Sequence, residues 1–179
     1  LGTFLGFMNG MIVSNIKVFP LIVTIATSTV FQGVSYLVSN AQTYRNYPET
    51  FLALTRGKVL GIPFDVFLTI VIVLLASFIY YKTKFGWNVL ALGGNEEAAR
   101  LAGIKTKTIK VSVYAICGFF VAVATMIMIS KSNTTSSAFG PGTEFTALTA
   151  AILGGISFMG GEGNMLGLVA GVFVLAVLG

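Results

Sequence analysis

Long stretches without a charged residue constrain this chain more than any other feature of its sequence. They run from Leu1 to Ile16, Val18 to Tyr44, Val66 to Tyr81, Val111 to Ser130, Phe145 to Gly161 and Gly163 to Gly179. Only 9% of the 179 residues are charged, whereas about a quarter of an ordinary soluble domain is charged. So few charges cannot cover a water-soluble globule of this size. The chain is therefore predicted to lie in a lipid bilayer.

Three of these stretches have the length of a membrane-spanning helix. A hydrocarbon core about 30 Å thick is crossed by roughly 20 apolar helical residues. The stretches that approach this length are Val18 to Val38, Phe64 to Tyr81 and Val111 to Ile129. The apolar stretches at the two ends of the chain are interpreted as truncated spans, so residues 1–179 are expected to form a single domain that is cut at both ends.

The stretch from Phe145 to Met159 is shorter than a usual span and leads into a glycine-rich segment. The glycines concerned are Gly154, Gly155, Gly160, Gly161 and Gly163. We expect a short or broken, re-entrant helix here, which lines or gates a pathway and packs through these glycines. The predicted fold class is all-α, a polytopic transmembrane helical bundle of about five to six membrane segments.

The basic residues predict the orientation of the spans. Six of them lie between Lys82 and Lys110, namely Lys82, Lys84, Arg100, Lys105, Lys107 and Lys110. Positive residues near span ends are retained in the cytoplasm, so the loop 82–110 is expected inside. If successive spans cross the membrane in opposite directions, Lys17 also lies inside. The residues expected outside are then Arg45, Arg56, Lys58 and Lys131, together with the polar loop from Ser39 to Pro63. Because the basic residues are scattered between apolar stretches and not gathered on one face, they are interpreted as signals of membrane orientation and not as a nucleic-acid-binding surface.

The chain lacks the side chains of common catalytic sites. It has no histidine, and its one cysteine, Cys117, lies within an apolar stretch. A phosphate-binding loop with the spacing Gly, four residues, Gly, Lys and Ser or Thr is also absent from the sequence. We therefore expect no catalytic residue, no metal site and no cofactor in this chain, and no ATP binding by the chain itself.

The polar groups inside the spans are mostly neutral. Thr24, Ser28 and Gln32 recur at every fourth position and form a stripe on one helix face. Such a stripe suits a pathway for a neutral polyhydroxy substrate, but hydroxyls bonded to their own helix or to a neighbouring helix explain it equally well. Glu144, at the end of a stretch, is a further pathway candidate, with a helix-capping carboxylate as the alternative. The lack of buried charge disfavours an ion- or proton-coupled carrier.

Glycine occurs at every fourth position in two spans. One set is Gly2, Gly6 and Gly10, and the other is Gly163, Gly167 and Gly171. Residues at this spacing share one helix face, and missing side chains let a neighbouring backbone approach closely. Close packing within one chain is the expected role, and a seam between two subunits is the alternative.

The middle of the inner loop predicts one short, capped helix from Asn95 to Ala102. Asn95 is a favourable N-cap, Glu96 and Glu97 place negative charge at the positive end of the helix dipole, and Gly103 can end the helix. A helix of about two turns is marginal alone in water, so a packing partner is expected. The alternative is a solvated helix at the membrane surface. The segment consists of Gly94, Asn95, Glu96, Glu97, Ala98, Ala99, Arg100, Leu101, Ala102 and Gly103.

This loop also carries a resemblance to a known family. The residues from Gly93 to Ile104 resemble Gly-Gly-Asn-x-Glu-Ala-Ala-Arg-Leu-Ser-Gly-Ile, the cytoplasmic signature of ribose/xylose/arabinose-type permeases of ABC importers. Four further segments are similar to family motifs in the same order, namely Gly6 to Phe31, Thr83 to Gly86, Gly142 to Phe145 and Ala150 to Gly163. Local departures at Pro20-Leu21, Ala26 and Phe158-Met159 leave the substrate open.

The resemblance implies a transport component and no enzyme. Two permease subunits, identical or different, would form the pathway in the inner membrane of a bacterium. An extracytoplasmic sugar-binding protein would deliver the substrate, and a separate ATPase subunit would bind ATP and Mg and dock on the segment from Gly94 to Gly103. A pentose or hexose such as ribose is the expected substrate. The alternatives are autoinducer-2, carried by related permeases, and an ion-coupled secondary carrier.

Overall fold

The computed structural model describes residues 1–16, 18–59 and 61–178, so the predicted inner residue Lys17 lies outside the described residues. The helices are α1 Gly2–Asn15, α2 Pro20–Ser39, α3 Glu49–Arg56, α4 Phe64–Lys82, α5 Lys84–Gly94, α6 Glu96–Leu101, α7 Thr106–Ser132, α8 Thr143–Leu153 and α9 Met165–Leu178. The strands are β1 Tyr44–Arg45, β2 Lys58–Val59, β3 Ile62–Pro63 and β4 Thr134–Thr135. Helices thus dominate, and the predicted all-α class is confirmed.

Among the described residues, three helices, α2, α4 and α7, are long and apolar enough to cross a membrane, and α8 and α9 are shorter apolar helices. The three long helices are those predicted, although α7 starts at Thr106 and not at Val111. Lys107 and Lys110 lie in its first turns. Lysine is a good helix former, so a lysine can mark the end of the apolar stretch without ending the helix.

The chain divides into two compact units, of which the first comprises Leu1–Leu75 and Lys107–Phe139. In this unit the glycine face of α1 lies directly on α7. A Cβ atom placed on Gly2 would be 2.6 Å from the carbonyl oxygen of Gly118, and one placed on Gly10 would be 2.8 Å from the Cα of Val111. Backbone therefore meets backbone, and packing within one chain is confirmed for this set of glycines.

The far end of α7 in the first unit is joined to the segment between α2 and α4. β1 pairs antiparallel with β4, with Tyr44 opposite Thr135. The Tyr47 hydroxyl donates to Thr135 Oγ1 at 2.8 Å, and the buried Ser130 hydroxyl donates to the Phe51 carbonyl at 3.0 Å. The sequence predicted only a polar loop here and missed α3 and the strand pairs.

The second unit comprises Ala76–Thr106 and Gly140–Gly179, described as far as Leu178. Its helices α8 and α9 pack through glycine: a Cβ atom on Gly154 would be 2.6 Å from the Gly167 carbonyl oxygen, and one on Gly171 would overlap the Ala150 carbonyl. The short helix predicted after Phe145 is confirmed, because α8 ends at Leu153. The prediction that Gly163 belongs to the last span is wrong, since it precedes α9, and a Cβ atom placed on it would meet the Ile156 side chain at 3.4 Å and no backbone of α8.

The inner loop contains one helix more than predicted, α5. Thr83 caps it by accepting a hydrogen bond from the Gly86 nitrogen at 3.3 Å. Gly86 is buried against the backbone carbonyls of Ile79 and Tyr80 at the end of α4. Only glycine permits so tight a return of the chain, so this turn places α5 against the end of α4.

Candidate functional site

The candidate site is α6, the short helix in the predicted inner loop. It begins after Asn95, whose backbone is extended and whose side-chain oxygen accepts a hydrogen bond from the Ala98 nitrogen at 2.9 Å. This bond satisfies one of the free N–H groups at the start of the helix. Glu96 and Glu97 occupy the first turn. The predicted N-terminal cap is therefore present in the structure.

The end of α6 is held by two reverse hydrogen bonds. The Gly103 nitrogen donates to the Arg100 carbonyl at 3.0 Å, and the Ile104 nitrogen donates to the Ala99 carbonyl at 3.0 Å. Together with the left-handed backbone of Gly103, at φ 83°, these bonds form a Schellman motif. Arg100 also pairs with Glu97 at 2.8 Å, but both side chains are exposed, so this pair adds little stability.

The three alanines of the segment do not lie on one surface. Ala99 is buried at 4% exposure, whereas Ala98 and Ala102 are exposed. Leu101 is 79% exposed. The apolar part of the exposed surface of α6 and its C-cap therefore consists of Ala98, Leu101 and Ala102, whereas Ala99 packs against its own chain.

The glycine backbone of the loop after α8 lies against the end of α5, next to the segment from Gly94 to Gly103. Gly93, near the end of α5, meets the backbone of Gly160 and Gly161, whereas Gly94 has open space around its Cβ position. Gly155, Gly160 and Gly161 all have positive φ, which a β-carbon would strain. Gly154 packs on α9. Of the predicted glycines, Gly154, Gly160 and Gly161 thus form backbone contacts within the second unit.

The predicted pathway residues lie in different parts of the chain. Thr24 donates to the carbonyls of Pro20 and Leu21 at 3.2 and 3.0 Å, and Ser28 donates to Ile25 at 2.8 Å, so both hydroxyls bond their own helix. Gln32 is half-buried on α2. Their role in a pathway stays a prediction.

Glu144 lies in the first turn of α8, which is in the second unit, and its side chain is exposed. A carboxylate there stabilises the helix dipole, which agrees with the capping alternative. Within residues 1–16, 18–59 and 61–178, no three His, Cys, Asp or Glu side chains form a group that could hold a metal ion.

The tyrosines at the end of α4 have a structural role that the sequence did not reveal. The Tyr81 hydroxyl donates to Asn164 Oδ1 at 3.1 Å and accepts from the Met165 nitrogen at 3.0 Å. The Tyr80 hydroxyl donates to the Gly163 carbonyl at 3.3 Å. A Tyr pair at the end of a span also suits a membrane interface, so only the structure identifies its partners.

Comparisons with known proteins place the chain in a family. The family model described as "Branched-chain amino acid transport system / permease component" matches residues 1–179. The L-arabinose transport system permease protein AraH of Escherichia coli (strain K12) is 34% identical over 171 residues, which cover 96% of this chain and 52% of that protein.

Two ribose import permease proteins RbsC are similar to the chain as well. That of Bacillus subtilis (strain 168) is 34% identical over 172 residues, 95% of this chain and 53% of that protein. That of Haemophilus influenzae is 33% identical over 182 residues, 99% of this chain and 56% of that protein. The chain therefore spans about half the length of these relatives.

No solved structure matches the chain. The sequence comparisons nevertheless agree with the resemblance carried by Gly93 to Ile104, since the relatives are named as arabinose and ribose permeases. Because the family model covers every residue, the chain belongs to this family of transport-system permease components, and its resemblance to the ribose/arabinose-type permeases is confirmed.

Proposed function

We propose that this chain forms part of the membrane-spanning permease of a bacterial ABC importer for a monosaccharide. A second permease subunit completes the pathway in the inner membrane, an extracytoplasmic binding protein delivers the sugar, and a separate ATPase subunit binds ATP and Mg. The observation that carries the proposal is α6, a helix capped at both ends that presents an exposed leucine.

The geometry of α6 supports docking of a partner subunit. Six residues form too short a helix to be stable alone, yet both ends are capped, so its shape is set before a partner binds. Leu101 is a large apolar side chain that is left exposed, and a partner that covered it would remove this apolar surface from water. A helix held in this way moves with its neighbours as a rigid body, so it can transmit the ATP-driven closure of the ATPase subunit to the permease.

A neutral substrate fits the spans better than an amino acid. A zwitterionic amino acid carries two full charges that charged side chains or helix ends in the membrane must balance, whereas a sugar needs only hydrogen-bonding groups. The helices α2, α4 and α7 carry charged residues only in their end segments. The relatives are named for arabinose and ribose, which are uncharged polyhydroxy sugars. A pentose is therefore the proposed substrate.

Substrate uptake tests this function directly. The complete importer, reconstituted in vesicles with its ATPase and binding protein, is expected to accumulate labelled ribose or arabinose only when ATP is supplied. Autoinducer-2 and leucine serve as competing substrates in the same assay. Uptake of leucine alone, or accumulation driven by an ion gradient without ATP, would contradict the proposal.

Orientation is the second expectation that an experiment can settle. In a Cys117→Ala background, Glu97→Cys on α6 is expected to stay unlabelled by an impermeant thiol reagent in intact cells, because the loop 82–110 carries most of the positive charge. Gln42→Cys, at an exposed position after α2, is expected to react. In inside-out vesicles the pattern should reverse, with Glu97→Cys labelled and Gln42→Cys protected. Labelling of Glu97→Cys in intact cells would show that the proposed orientation is wrong.

A further inference from the structure

The docking helix follows a place where two backbones meet without an intervening side chain. Gly93 lies in the last turn of α5, one residue before the start of the docking segment at Gly94. A Cβ atom added to Gly93 would overlap the nitrogen of Gly161 and lie 3.0 Å from its Cα. A Cβ atom added to Gly161 would be 2.7 Å from the Cα of Gly94. Carbon atoms pack best at about 3.5–4.0 Å, so neither position has room for a methyl group.

The segment that receives α5 is a closed turn between α8 and α9. The Gly160 nitrogen donates to the Ser157 carbonyl, and the Ser157 nitrogen donates to the Glu162 carbonyl, both at 3.1 Å. Gly160 and Gly161 adopt φ of 88° and 77°, in the left-handed region that glycine tolerates. The turn is therefore a defined structure, and α5 rests on backbone that is itself hydrogen-bonded.

The turn is also fixed to both helices that it connects. Through Gly154 and Gly167, α8 and α9 approach closely enough for backbone contact. The start of α9 is held by Asn164, whose side-chain oxygen accepts from the Leu166 nitrogen at 3.0 Å and from the Tyr81 hydroxyl at 3.1 Å. A displacement of the turn must therefore move α8 and α9 together.

We propose that the contact of Gly93 with Gly160 and Gly161 is the joint through which movement of the docking helix reaches α8 and α9. This inference rests on the proposed function of α6. Flexible side chains would absorb a small movement by changing rotamer, whereas two backbones in contact transmit it. The glycines are thus required for coupling between ATP hydrolysis and transport, in addition to their role in packing.

Gly93→Ala in the complete importer tests the joint. Alanine favours a helix more than glycine does, so α5 itself is not weakened by the change. We expect the permease to reach the membrane and to retain its ATPase subunit, and ATP hydrolysis to continue, while sugar uptake falls about tenfold. Gly161→Ala also adds strain at a positive φ. It should likewise leave ATP hydrolysis intact, with a larger loss of sugar uptake.

The matched control is Ala91→Val, which enlarges an exposed side chain on the same helix and should leave uptake unchanged. The proposal is overturned if sugar uptake by Gly93→Ala stays within about twofold of the wild type, because a coupling residue is expected to have a larger effect. A parallel loss of membrane protein, ATPase binding and uptake would also overturn it, since the contact would then be structural only. Absence of ATP-dependent uptake in the wild type would instead contradict the proposed function.

Discussion

Gly6→Ala is expected to destabilise the protein by about 2 to 3 kcal/mol, the cost of forcing extra volume into a close-packed contact. The added methyl group would overlap the Tyr114 carbonyl oxygen and lie 3.1 Å from the Cα of Gly118. Both neighbours are backbone atoms of α7, which cannot change rotamer to make room. The change is measured as the loss of thermal stability of the purified full-length permease in detergent.

Gly33→Ala provides the matched control for this prediction. Gly33 lies within α2, and a Cβ atom there has nothing within 4 Å among the described residues. Both substitutions replace a helical glycine, so the intrinsic helix preference for alanine contributes equally to each. The difference in stability between the two variants therefore reports the contact of α1 with α7. Equal stability of both variants would show that this contact is looser than the structure indicates.

Ala98→Glu is expected to abolish binding of the ATPase subunit while leaving the permease folded. Ala98 is exposed and is the third residue of α6, where its nitrogen already bonds to the Asn95 side chain. A glutamate at this position of a capped helix completes a capping box and complements the helix dipole, so α6 itself becomes more stable. Loss of docking would therefore result from the bulk and charge placed on the surface and not from unfolding.

Co-purification measures this effect. We expect the amount of ATPase retained by Ala98→Glu to fall by at least about 30-fold, the effect of removing a central interface residue, and Leu101→Ala to weaken binding in the same direction. Thr108→Glu is the control, because it adds the same charge at an exposed site in the first turn of α7. If Ala98→Glu retains the ATPase subunit and takes up sugar at wild-type levels, α6 is not the docking site.

The features that the sequence predicted are those that depend on near neighbours in the chain. Asn95 and Gly103 mark the ends of α6 because a cap involves residues only a few positions away. The spans α2, α4 and α7 follow from the spacing of charges. The turn after α8 was visible because its glycines are close together in the sequence.

The features that it missed depend on contacts between distant segments. Nothing near Gly93 indicates that Gly161 lies against it, and nothing distinguishes the buried Ala99 from the exposed Ala98 next to it. The start of α3 had a local signal in Pro48 followed by Glu49, since both residue types are favoured at a helix start, but a polar composition suggested a loop. The capped helix α6 could thus be predicted, whereas the contact of α5 with the glycines after α8 required the structure.

The length of α7 has a consequence for the lipid environment of the protein. Its 27 residues extend about 40 Å at the helical rise, which matches the full thickness of a bilayer with its headgroups and exceeds the hydrocarbon core. Lys107 and Lys110 near one end and Lys131 near the other then lie at the level of the lipid phosphates. In a thinner bilayer the helix can tilt or let its end turns extend into water at modest cost. Activity is therefore expected to tolerate shorter acyl chains better than longer ones, which would draw the lysines into hydrocarbon.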